Sequence, residues 1–226
     1  MENVTVLTPK EKGADAYLVN PFLNTINHPE FYSTTGLMKV LVGVTGQGKT
    51  YNTAKVFIPT LAKEHGVELI IVSVPQTEIL DPIDFKISAG LSGMVHTTSS
   101  DEAIDLLEEG AKVLLTTTHQ SFTVTQKGKD FVNTLLQSSY KYAVFIDEAH
   151  TWMASHSTTY KDVLGHYCPD YEATLFKALN VLSNKSPYIF GLTATPNPEQ
   201  VGKIQTVGGM KFGVINEIPP KHLLIG

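Results

Sequence analysis

Apolar residues gather in short, nearly continuous runs along this chain, separated by mixed stretches in which they recur at helical spacing. Leu37–Val44, Val67–Val74, Val113–Thr118, Tyr142–Ile146 and Tyr188–Leu192 are rich in β-branched, leucine and aromatic positions. Such runs, lacking the polar alternation of a half-exposed sheet, predict strands covered on both faces. Met94–Thr97 predicts a short additional strand, and Lys211–Glu217 a last one. Helices are predicted between them. Thr50 to about His65 is expected to bend at Pro59 and stop at Gly66. Asp101–Glu109 has Ser99 and Glu102 in capping-box spacing and Gly110 as its stop. Asp130–Ser138 and Asp170–Asn184 complete the set, the latter with Tyr171, Leu175, Leu179 and Leu182 on one face. Strands alternating with helices predict an α/β fold of three layers, with a mainly parallel central sheet between helices. Ligands of such sheets sit beyond the carboxyl ends of the strands, so reactive residues are expected directly after strands. Residues 1–36, broken by Pro9, Pro21 and Pro29, read as an irregular lead-in. The main domain is expected over 37–210, and 211–226 as a strand and linker toward a missing second domain.

Composition narrows the function classes. The 226 residues are 42% hydrophobic and 17% charged, a globular balance that excludes disorder and coiled coil. All 17 cationic residues are lysines, and the net charge is −5. A generally basic nucleic-acid surface is therefore excluded, and any polynucleotide contact must be local. The bidentate guanidinium clamp is unavailable, so an arginine-dependent step must come from another polypeptide segment. The single Cys168 cannot form an internal disulfide. No apolar run reaches the roughly 18–20 residues of a membrane span, and Met1–Lys10 lacks a basic leader followed by an apolar stretch. A cytoplasmic, nucleic-acid-associated location with no membrane partner is the expectation.

The chemistry is concentrated at strand ends. Gly43-Val44-Thr45-Gly46-Gln47-Gly48-Lys49-Thr50 follows the first strand, opens a helix and fits the phosphate-loop pattern. Its glycines let backbone N–H groups turn inward around phosphates, Lys49 reaches the β and γ phosphates, and the Thr50 hydroxyl is the candidate magnesium ligand. Gly43, Thr45, Gly46, Gln47, Gly48, Lys49 and Thr50 are thus the candidate ATP-binding set. Asp147-Glu148-Ala149-His150 follows the strand Tyr142–Ile146. Asp147 suits magnesium held through its water shell, and Glu148 suits orienting and deprotonating an attacking water. His156, His166 and Cys168 lack paired ligand spacing and are read as part of an insertion without a metal.

Gly46-Gln47-Gly48-Lys49-Thr50, Asp147-Glu148-Ala149-His150 and Thr193-Ala194-Thr195-Pro196 resemble, in that order, motifs I, II and III of superfamily-two helicases. The likeness is to the DEAD/DEAH-type and restriction-enzyme-like branch, and it runs over roughly Leu37 to Pro198. It implies a RecA-like first domain that binds ATP and magnesium and hydrolyses ATP during movement on DNA or RNA. His150, Thr193 and Thr195 would then couple the state of the phosphates to the polynucleotide. Pro75, Gln76 and Thr77 stand where the family has motif Ia. Thr118, His119 and Gln120 lie in a similar Thr-x-Gln-Ser stretch. Both are candidate contacts to a sugar-phosphate backbone.

Two departures from the family stand out. No glutamine precedes Gln47 to read adenine, which leaves Phe31 or Tyr32 as possible stacking partners for the base. The second RecA-like domain with its arginine finger is not found, and it is expected in cis or in trans. The ATPase of a viral DNA-packaging motor carries similar elements and stays open as an alternative, as does a nucleotide-gated adaptor that never hydrolyses. His150 and Thr195-Pro196 favour the helicase over the first, and an intact Glu148 argues against the second.

Overall fold

The structure is a computed structural model that describes residues 37–42, 49–75, 83–123, 125–149, 181–194 and 211–217. Seven strands form one sheet: β1 (Leu37–Val42), β2 (Leu69–Val74), β3 (Val95–Thr97), β4 (Val113–Thr118), β5 (Tyr142–Ile146), β6 (Ile189–Thr193) and β7 (Lys211–Glu217). They lie in the order β3-β4-β2-β5-β6-β1-β7, and every pair is parallel. Parallel neighbours need crossovers, and helices supply them. Helix α1 starts at Lys49, α2 spans Ile83–Ser92, α3 Ser100–Glu108, α4 His119–Thr123 and α5 Gln126–Gln137. Residues 181–185 are also helical.

Strand alternation assigns the two faces. Leu69, Ile71, Val113, Leu115, Tyr142 and Val144 pack with Leu107, Phe122, Phe131, Leu135 and Leu182 on one side. Ile70, Val72, Val74, Leu114, Ala143 and Phe145 pack with Phe57, Ile58, Leu61 and Phe85 on the other. All side chains of β2, β4, β5 and β6 are buried, as continuous apolar runs require of a sheet covered twice. Phe57 anchors α1 by meeting Phe145 edge-on at 4.9 Å and Phe190 at 4.6 Å, while Phe145 and Phe190 stack at 5.1 Å.

Several local expectations are revised. Ahead of Pro59, α1 passes from Lys49–Asn52 through a π-helical stretch, Thr53–Phe57, into Ile58–Lys63. Pro59 has no N–H to give Lys55 and its ring crowds that carbonyl, so the chain widens by one residue just before it. The Ile58 N–H bonds Thr53 O across the wider turn, and Gly66 follows at φ +63° as the expected stop. The cap of α3 is also altered. Ser99 Oγ accepts from the Glu102 N–H at 3.4 Å, but the Glu102 carboxylate accepts from Thr97 Oγ1 at 2.5 Å. Thr97 Oγ1 in turn accepts from the Ser99 N–H at 3.0 Å, so the threonine relays the usual reciprocal bond. The helix expected over Asp130–Ser138 starts earlier, at Gln126 behind a Thr125 cap, and α2 and α4 were not expected at all. The last expected strand, Lys211–Glu217, is β7, and it pairs with β1 at the edge of this sheet. The lead-in 1–36, most of the helix expected over Asp170–Asn184, and the segment holding His156, His166 and Cys168 lie outside the described residues.

Candidate active site

Three strand ends converge. β6 lies between β1 and β5, with Val42 opposite Thr193 and Ile146 opposite Gly191. The strand before the glycine-rich loop and the strand before the acids are therefore separated by the strand that ends in Thr193. Gly43, Thr45, Gly46, Gln47 and Gly48 lie outside the described residues, as do His150, Thr195, Gln76 and Thr77. Lys49 and Thr50 form the first turn of α1 and are half-buried.

The electrostatics tie Lys49 to the acids across this gap. Burial pushes the Lys49 ammonium below its ordinary pKa, and the carboxylates of Glu148 and then Asp147 act against that shift. A partly desolvated lysine whose charge is supported by two carboxylates is a group arranged to meet anions at close range. The Thr50 hydroxyl and the Asp147 carboxylate are hard oxygen donors. No group of three or more His, Cys, Asp or Glu that could hold a metal occurs among the described residues. The donor set thus fits a cation such as magnesium, bound by few protein oxygens and completed by phosphates and water, and does not fit an all-protein cage.

The acidic turn is held by main-chain bonds to both neighbouring strands. Asp147 N–H donates to Ser73 O at 2.9 Å, and Ala149 N–H donates to Leu192 O at 2.8 Å. Asp147 Oδ1 accepts from the Glu148 N–H at 3.0 Å. Glu148 has φ +48°, a left-handed conformation that costs a non-glycine residue about 1–2 kcal/mol. Such a residue persists where its surroundings over-determine it.

The loop after β4 departs from expectation. Thr118 and His119 are buried, and both face partners inside the protein. Thr118 Oγ1 donates to Ser121 Oγ at 2.8 Å and accepts from the Ser121 N–H at 3.0 Å, which caps α4. The His119 ring lies 2.6 Å from Ser73 Oγ through Nδ1 and 3.1 Å from the Asp147 carbonyl through Nε2. Burial lowers its pKa to about 3, so the ring is neutral. Both side chains are thus engaged by partners within the protein. Gln120 is exposed and Pro75 half-buried. Ser73 was missed in the sequence, although a lone serine in the apolar run Leu69–Val74 was a signal that something buried must satisfy it. Thr193 is fully buried at the end of β6.

A parallel sheet with a phosphate-loop strand, an acidic strand end and an intervening threonine strand defines a RecA-like ATPase domain. A family model described as Type III restriction enzyme, res subunit, matches residues 18–198. The chain belongs to this family. Its fold is similar to that of the DUF1998 helicase MrfA, with a TM-score of 0.53 and 13% identity, covering 91% of this chain and 31% of that one. The Sulfolobus solfataricus SWI2/SNF2 ATPase core in complex with dsDNA matches at 18% identity and TM-score 0.49, over 87% of this chain and 36% of that one. The Pyrococcus furiosus Hef helicase domain matches at 16% and 0.48, over 90% and 40%. The chain thus spans between about a third and two-fifths of the length of these structures. No protein with a curated description matches it. Among the described residues, no helix is long and apolar enough to cross a membrane.

Proposed function

We propose that this chain binds ATP and hydrolyses it to drive movement along, or unwinding of, DNA or RNA. The reading rests on one observation: Glu148 and Asp147, at the end of β5, act on Lys49, at the start of α1, against the lowering of its pKa by burial. A lysine meant only for structure gains nothing from sitting partly desolvated behind a glycine-rich loop. In this reading Lys49 grips the terminal phosphates, and backbone N–H groups of the loop from Gly43 to Gly48 surround the rest. Thr50 and Asp147 hold magnesium, which when bound offsets the charge of the phosphates. Glu148 orients a water in line with the terminal phosphate and takes its proton. His150, Thr193 and Thr195 sense the loss of that phosphate. Family membership and a fold shared with a protein named a helicase support a polynucleotide as the partner. Gln120, with Pro75, Gln76 and Thr77, is then the face offered to its backbone.

Lys49→Ala and Glu148→Gln separate the parts of this reading. Lys49→Ala is expected to lose nucleotide binding in a fluorescent-nucleotide titration. In the complete enzyme, Glu148→Gln is expected to retain binding while turnover falls by about 10²–10⁴, the usual contribution of a general base. Equal nucleotide affinity in Lys49→Ala and the wild type would refute it.

A further inference from the structure

The peptide joining Asp147 to Glu148 carries the strain. Among the described residues, Glu148 is the one non-glycine residue at positive φ. Turning that peptide over changes ψ of residue 147 and φ of residue 148 together, which would bring Glu148 to negative φ. Two hydrogen bonds oppose the turn. One, from the Glu148 N–H to Asp147 Oδ1, joins adjacent residues and can be remade locally. The other reaches the Asp147 carbonyl from the His119 ring, 28 positions away and mounted on the end of a different strand. A main-chain carbonyl only accepts, so Nε2 carries the proton. Nδ1 of the neutral ring then accepts from the Ser73 hydroxyl, on the strand between β4 and β5. The ring is thereby fixed at both nitrogens.

We propose that His119 is a positioning residue for Glu148: its Nε2–H pins the Asp147 carbonyl, and so holds Glu148 in the left-handed conformation in which it leaves the acidic turn. The proposal rests on the role assigned to Glu148 above, and it extends the site to Ser73 and His119, which act through the Asp147 carbonyl. It also accounts for a buried histidine at a strand end where a contact to polynucleotide was expected.

Two near-isosteres divide the ring's functions. In His119→Gln the side-chain amide nitrogen reaches the place of Nε2 and can still donate to the Asp147 carbonyl. In His119→Asn the amide reaches only the place of Nδ1, so Ser73 keeps a partner and the carbonyl loses its donor. Nucleotide affinity would be measured in the full chain and single-turnover ATP hydrolysis with an arginine-bearing RecA-like domain and polynucleotide added, with thermal unfolding alongside. Affinities within twofold of wild type are expected for both variants. Turnover should fall at least tenfold in His119→Asn and recover most of the way in His119→Gln, although the two unfold at similar temperatures. A crystal structure of His119→Asn should show the peptide turned over and Glu148 at negative φ. Equal turnover in the two variants, or Glu148 still at positive φ in His119→Asn, would overturn the proposal. A wild-type chain that neither binds nor hydrolyses ATP would instead refute the assigned function, and the crystal structure would still decide whether the ring is a clamp.

Discussion

Tyr142 shows how a single side chain joins the acidic strand to the helix that covers it. Its hydroxyl donates to Leu182 O at 3.0 Å, and its own carbonyl accepts from Ser186 Oγ at 2.6 Å. Burial raises the phenol's pKa. The unfolded phenol ionises near pH ~10, while the folded one holds its proton to higher pH, so above that point the unfolded state binds fewer protons. Stability therefore falls as pH rises through ~10. Tyr142→Phe is expected to cost about 1 kcal/mol at neutral pH, for the lost hydrogen bond. The same variant should show a flatter loss of stability between pH 9 and 11 in urea titrations. The strand carrying this residue was legible because five consecutive buried positions leave no other reading. Its hydrogen bond was not, since the partner lies 40 positions away and only the crossover brings it near. The same applies to His119. Its place after a strand marked it as functional, but the direction of its ring depends on Ser73 and Asp147, which only the strand order brings together.

At the scale of elements, strands were read more faithfully than helices, and α2 explains why. Its buried face is Phe85, Ser88, Ala89 and Ser92, which has helical spacing but is half serine, while Ile87 and Leu91 are exposed. A hydrophobic pattern cannot reveal a helix whose inner face is more polar than its outer one. Helix α4 and the first turn of α5 were hidden for a different reason: the two helices approach so closely that glycine is required. A Cβ at Gly128 would lie 2.2 Å from Ser121 O and 2.6 Å from Phe122 O, both backbone atoms that cannot swing away. Gly128 N–H is also capped by Thr125 Oγ1 at 3.1 Å, which fixes the start of α5 against the end of α4. Gly128→Ala should therefore destabilise the fold by about 1–3 kcal/mol through overpacking, despite alanine's better helix propensity. Chemical denaturation would check the sign. A neutral or stabilising effect would mean that the two helices separate without loss.

For the molecule as a whole, the decisive facts are the strand order and the character of the cations. The order places Thr193 between the loop strand and the acid strand, so the three motifs, distant in sequence, open on one edge of the sheet. Lysines alone supply its positive charge. Lys49 can neutralise phosphate as a point charge, but a planar guanidinium that follows the charge developing on the transferred group is worth roughly 10³–10⁵ in rate in phosphoryl-transfer enzymes of this general kind. Nothing within these 226 residues can provide one. The chain alone is therefore expected to bind nucleotide and turn it over very slowly, with or without polynucleotide. Adding an arginine-bearing RecA-like domain, joined to it or separate, should raise single-turnover hydrolysis by at least a hundredfold. An Arg→Lys change in that added domain should abolish most of the gain. Fast, polynucleotide-stimulated hydrolysis by the 226 residues alone would show that ammonium groups suffice here, and that an added RecA-like domain contributes no chemistry.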